Sequence, residues 1–235
     1  MKIALFGYGK MGKEIETLAT KNNHEIVLIV DSTNSDLLTS SDLKKADVAI
    51  EFSRPDAVIS NITTCFNANL PIVVGTTGWH DNFKSVEKLC KQKKGSLFYA
   101  SNFSLGVNLF FKVNTYLAEL MNKYEDYEVS MEEIHHLQKL DKPSGTAITL
   151  ANKIIDKIDR KKNWSNLNKN KDTVFIKDIR EGSVSGTHII KYNSTIDDIE
   201  IMHKAHNRKG FAQGAIIAAA FLKDKKGIYT MNDII

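Results

Sequence analysis

Residues 133 to 147 read Glu-Ile-His-His-Leu-Gln-Lys-Leu-Asp-Lys-Pro-Ser-Gly-Thr-Ala, the densest mixture of acid–base and anion-binding groups in the chain. Tyr127 to Ile134 alternates like a strand, so His135 and His136 at its end point to opposite sides. One imidazole is then available for proton transfer and the other for a pocket wall or packing. Lys139 adds a cation a few residues on. Ser144-Gly145-Thr146 precedes an apolar helical stripe from Ala147 to Ile158, where free N–H groups, two hydroxyls and the positive dipole end suit a carboxylate. The same residues would equally make an ordinary N-cap. With no third ligand at a recognisable spacing from the histidines, no metal is expected.

A second constellation lies at the start of the chain. Gly7-Tyr8-Gly9-Lys10-Met11-Gly12 is a GxGxxG between the apolar run Ile3–Phe6 and a helix-like stretch, and a second apolar run ends at Asp31. This is the order of a dinucleotide-binding βαβ unit, with the glycines admitting a pyrophosphate to the helix start and the carboxylate accepting from a ribose. Ser32 and Thr33 beside Asp31 supply no cation for a 2′-phosphate, which favours NADH while leaving NADPH open. Asp31 could also simply cap its strand. The loops Gly75-Thr76-Thr77-Gly78 and Ala100-Ser101-Asn102-Phe103-Ser104 follow further apolar runs, where open α/β sheets place ligands.

The elements that must hold these groups follow from periodicity. Runs at 3–6, 26–30, 48–52, 72–74 and 97–99 alternate with helical stretches at 12–22, 55–67 and 81–93, with Pro55 in a first turn; this predicts a parallel Rossmann-type sheet. Beyond it the pattern changes to a long helix at 105–123, the strand ending near His135, the helix after Thr146, and strands at 173–179, 184–192 and 198–203. The fold class is therefore α/β with a second α+β domain on a mixed sheet. Residues 1–104 and 209–235 are assigned to the dinucleotide-binding domain, the latter through a small-residue helix at 211–223, and 105–208 to a substrate-binding and oligomerisation domain.

Composition excludes several alternatives. With 32 basic and 28 acidic residues the net charge is +4, and Arg160-Lys161-Lys162 stands in an Asn/Lys-rich stretch read as a solvated loop, so no nucleic acid is expected. The apolar run 215–222 is far short of a membrane span and the start lacks a signal-peptide core, so a cytoplasmic location is expected. Cys65 and Cys90 read as small core residues.

Taken together, the residues resemble the dihydrodipicolinate reductases of lysine and diaminopimelate biosynthesis, also called 4-hydroxy-tetrahydrodipicolinate reductases. The most specific element is His135-His136-x-x-Lys139-x-Asp141-x-Pro143-Ser144-Gly145-Thr146; Arg180-x-Gly182, Gly186-x-His188 and His203-x-Ala205-x-x-Arg208 support it. The resemblance implies NAD(P)H-dependent hydride transfer to C4 of the substrate and protonation at C3, with His135 as general acid and Lys139 assisting. It assigns the small dicarboxylate to His136, Ser144, Gly145 and Thr146. The cofactor falls to Gly7, Tyr8, Gly9, Lys10, Met11, Gly12, Asp31, Gly75, Thr76, Thr77, Ala100, Ser101, Asn102, Phe103 and Arg208, and the assembly is a homotetramer joined through second-domain sheets. Lys10, Glu51 and Thr187 depart from the family's usual Arg, Asp and acidic residue. Competing readings are a same-fold reductase of another small imine or amino acid, and a catalytically silent NADH sensor.

Overall fold

Four consecutive buried side chains, Ile3 to Phe6, need cover on both faces of their strand, as parallel sheets provide. In the computed structural model, which describes residues 1–35 and 38–235, they form β1 (Lys2–Phe6) of an all-parallel sheet. Its other strands are β2 (Glu25–Val30), β3 (Val48–Glu51), β4 (Ile72–Val74), β5 (Ser96–Tyr99) and, last in the chain, β11 (Gly227–Tyr229), in the order β11-β5-β4-β3-β1-β2. Alternate side chains go to opposite layers. Ile3 and Leu5 pack with α1 (Lys10–Lys21) and α7 (Lys209–Leu222), while Ala4 and Phe6 pack with α3 (Val58–Asn67) and α4 (Phe83–Lys93). Alanines 212, 215, 218 and 219 let α7 lie close to the sheet, and Cys65 and Cys90 are buried and free in the opposite layer.

This sheet belongs to one compact unit, residues 1–105 with 209–235; residues 106–208 form another. The second unit holds a mixed sheet ordered β10-β9-β6-β8-β7: β6 (Glu128–His135), β7 (Asn163–Ser165), β8 (Thr173–Arg180), β9 (Thr187–Asn193) and β10 (Asp198–Lys204). Strands β6, β7 and β8 are parallel, and β9 runs antiparallel to both β6 and β10. On one face Val129, Met131, Val174, Ile176, Ile190 and Tyr192 pack under α5 (Leu105–Met121) and α6 (Gly145–Ile155). The other face carries Glu132 paired to Lys177 at 3.1 Å, and Lys191 paired to Asp198 at 3.2 Å. This is the predicted fold class. Among the described residues no helix is long and apolar enough to cross a membrane.

Several local expectations are corrected. α3 starts at Val58, leaving Pro55 in the preceding turn; β9 starts at Thr187, after Gly182 and Gly186 with φ of 49° and 152°. The three-residue strands β7 and β11 carry too little pattern to predict. The basic cluster is a loop in which Lys162 is exposed but Lys161 is not solvated: it is 1% exposed, and its ammonium donates to Glu128 and to the carbonyls of Lys171 and Thr173. Arg160 donates to the carbonyls of Asn122, Tyr124 and Tyr127. These cations close the end of the second unit where β6 begins. Lys161→Ala should strand the buried carbonyls and lower stability by about 1–3 kcal/mol, read as a lower urea midpoint at unchanged slope.

Candidate active site

In a parallel sheet every strand delivers its following loop to the same edge, and a cleft opens where the chain reverses direction across the sheet. Here that point lies between β1 and β3, and it holds a cavity of about 490 Å³. Gly7, Tyr8, Gly9 and Asp31 of the expected residues line it. Phe52, Ser53, Arg54 and Asn61 also line it; only their position after β3 could have signalled them. Two of the glycines are demanded by the protein itself. Gly7 has φ +92° and a Cβ there would strike the Phe52 carbonyl, while one at Gly12 would strike the Gly7 carbonyl. Gly9 differs, for nothing lies within 4 Å of an added Cβ. It N-caps α1 without a side-chain bond, and no acidic residue neutralises the first turn. The amides of Lys10, Met11 and Gly12 therefore have neither a helical acceptor nor a side-chain cap, the arrangement that favours an anion.

Asp31 Oδ1 accepts from the Thr33 amide at 2.8 Å and its hydroxyl at 2.6 Å, and that hydroxyl chiefly holds the carboxyl below its usual range. It thus caps its turn and stays ionised. The segment that follows includes residues 36 and 37, outside the described residues. The Gly75–Thr77 and Ala100–Phe103 loops leave β4 and β5 at the same edge. Thr76 Oγ1 accepts from the Ser53 amide at 2.8 Å. The Phe103 side chain is 2% exposed, against Phe52 and Phe98, so only its main chain can reach a ligand. Glu51, buried at the end of β3, accepts from the Ser53 amide at 3.1 Å and from the Ser53 hydroxyl, bracing this loop, and burial pushes its carboxyl up.

The second unit builds its polar cluster on the face that elsewhere forms its core. Along β6 the buried positions run Val129, Met131, Glu133 and His135, so the face turns from apolar to ionisable at its last two residues. Strand register sets His188 opposite Glu133, His203 opposite His188, and Arg180 beside His135. The His135 and His188 rings meet edge-on with centroids 5.2 Å apart. Burial lowers the His135 pKa, Lys139 and Arg180 lower it further, and Glu133 opposes them; burial and the neighbouring His135 bring His188 down to about 3. His136 follows β6 and is half-buried. Lys139 pairs with Asp141 at 2.8 Å, and Arg180 donates to the carbonyls of Lys139 and Asp141, fixing the loop between β6 and α6. Arg208 ends the second unit, just before α7.

Ser144 N-caps α6, its Oγ accepting from the Ala147 amide at 3.2 Å. Its own amide and hydroxyl both donate to Glu133, which leaves the Gly145 and Thr146 amides without a helical acceptor. Ligand-capable atoms of Glu133, His135 and His188 lie within 4.8 Å of one another, so the third group that spacing did not reveal comes from β9. Glu133 is already occupied by Ser144 and by Arg180 at 3.2 Å, and a dication would sit against that guanidinium.

A nucleotide-ready Rossmann cleft and an acid–base cluster beside an open helix start define the class of NAD(P)H-dependent oxidoreductases. Family models described as dihydrodipicolinate reductase, N-terminus and C-terminus, match residues 1–103 and 106–235. A 4-hydroxy-tetrahydrodipicolinate reductase of Christiangramia forsetii is 50% identical over 237 residues, spanning 100% of this chain and 98% of its own. One from Thermosipho africanus is 34% identical, with the same coverage of each chain. A solved dihydrodipicolinate reductase from Paenisporosarcina sp. TG-14, bound to dipicolinate, superposes with a TM-score of 0.81 at 25% identity, covering 100% of this chain and 99% of that one. The chain belongs to the dihydrodipicolinate reductase family.

The glycine contacts separate fold from ligand. Gly9→Ala should leave the thermal midpoint unchanged yet weaken NADH binding at least tenfold by calorimetry, whereas Gly12→Ala should lower the midpoint itself.

Proposed function

We propose that the chain reduces 4-hydroxy-tetrahydrodipicolinate to tetrahydrodipicolinate in lysine and diaminopimelate biosynthesis, using NADH in preference to NADPH. The observation that carries this is the second unit's juxtaposition of a buried imidazole, an ammonium four residues on, and a helix start with open amides. A dipicolinate-bound relative supports a ring dicarboxylate as its ligand.

When bound, NADH would supply the hydride for C4 of the ring once the 4-hydroxyl and a C3 hydrogen have left as water. The α1 amides would hold its diphosphate, and Asp31 would accept from the adenosine ribose. Arg54 lines the same cleft and pairs with the exposed Asp56 at 3.2 Å. The Gly145 and Thr146 amides, with the Thr146 hydroxyl, hold one substrate carboxylate, and His136 lines the pocket. Lys139 stabilises the negative charge that develops as hydride arrives. His135, as imidazolium, delivers the proton to C3 of the enamine, and solvent restores it. Four copies associate through the uncovered face of the second sheet, where Glu132, Lys177 and Lys191 lie.

A coupled assay generating the unstable substrate in situ should show nucleotide oxidation with a lower KM for NADH than NADPH; no oxidation of either would mean a sensor. In that assay His135→Gln and Lys139→Ala should each lower turnover by about 10²-fold, with NADH affinity retained.

Pyridine-2,6-dicarboxylate, a planar ring with both carboxylates and no reducible imine, should inhibit competitively with substrate. Thr146→Val removes a donor to a charged acceptor, worth about 1.5–3 kcal/mol, and should weaken the inhibitor about 10- to 150-fold. A Cβ at Gly145 meets nothing within 4 Å, so Gly145→Ala should fold normally and weaken the same inhibitor. Unchanged calorimetric affinity in both variants would place the dicarboxylate elsewhere.

A further inference from the structure

We propose that Glu133 is a positioning residue for this reaction: a single buried carboxylate that ties the start of α6 to the imidazole of His135, spending both donors of Ser144 within the protein so that at the start of α6 only Gly145 and Thr146 present donors to the substrate. The proposal rests on His135 acting as the acid and α6 as the anion site.

Glu133 lies two residues before His135 on the same face of β6, and its side chain is 0% exposed. A carboxylate so buried persists only where donors surround it. Oε1 accepts from the Ser144 amide at 2.9 Å and from Arg180 at 3.2 Å. Oε2 accepts from the Ser144 hydroxyl, and lies 3.4 Å from His135 Nδ1 and 3.7 Å from His188 Nε2. The Ser144 oxygen meanwhile accepts from Ala147. Ser144, which the family resemblance assigns to substrate, is thereby engaged on every side by the protein. The cap it forms is what aims the next two amides outward.

Five charged or titratable groups face His135: Glu133 on its own strand, Arg180 from β8, His188 from β9, and Lys139 and Asp141 from the loop before α6, with His203 of β10 behind His188. Glu133 is the buried anion among them, and the burial of His135, Lys139 and Arg180 all oppose a positive imidazole. With Glu133 neutral, the imidazolium that protonates the substrate would form only at lower pH. The alkaline limb of kcat marks the loss of that acid, so it must move toward acid when the carboxylate charge is removed.

The test compares Glu133→Gln, Glu133→Asp and His135→Gln with the wild type. Glu133→Gln keeps size and loses charge; the alkaline limb of kcat should fall by about one pH unit, and the His135 imidazole should titrate lower by the same amount in NMR spectra. NADH affinity should not change. Glu133→Asp keeps the charge but draws it back from Ser144, so it should retain most of the limb position while weakening pyridine-2,6-dicarboxylate several-fold. It also serves as the readout if the glutamine variant does not fold. If His135→Gln is slow while both Glu133 variants keep the wild-type limb, imidazole titration and inhibitor affinity, Glu133 has no positioning role. If His135→Gln itself turns over normally, the underlying assignment of the acid fails instead. Ser144→Ala adds an independent arm: it breaks the same link from the side of α6, so it should weaken the inhibitor several-fold, as Glu133→Asp does, and unchanged inhibitor affinity in both variants overturns the link.

Discussion

A carboxylate shut away from water costs several kcal/mol unless nearly all its lone pairs meet donors, and the polar end of the second unit is organised by that requirement at Glu133. Its partners come from three other places in the chain: Ser144 at the start of α6, Arg180 at the end of β8 and His188 on β9. These contacts are compatible with only one register of β6 against β8 and β9, and they tie down the start of α6. The loop between β6 and α6 is then held by the same guanidinium that reaches Glu133. Position and electrostatics are set together here, because one buried charge serves both.

The first unit solves a different problem by steric means. Its glycine turn has two positions where the protein's own carbonyls forbid a side chain and one where nothing does. Space kept clear without an internal reason is the mark of a ligand that must approach the backbone closely. Glu51, a departure from the family's usual aspartate, reaches Ser53 of its own loop and so braces the wall of the nucleotide cleft.

Both units leave amides at a helix start without a helical acceptor, but they do so differently. α1 is capped by glycine with no side-chain bond, leaving its first turn open. α6 is capped by a serine whose remaining donors are spent on a buried acid, leaving only the two residues beyond it. The first arrangement suits a diphosphate lying along a turn, and the second suits a single carboxylate.

The strand and helix alternation, the GxGxxG turn and the His135–Thr146 segment were legible in the sequence because each is written within about a dozen neighbouring residues, where side-chain period and capping chemistry act locally. Glu133 was legible too in principle, two residues from His135 on one strand face. Tertiary structure alone decided that His188 and Arg180 join that cluster, since strand pairing is set by burial across the whole sheet and not by spacing along the chain. It also decided that Lys161, in a stretch reading as a solvated loop, is a buried donor to distant carbonyls, and that β7 and β11 exist at all. Each depends on partners many residues away, so no local pattern could record it.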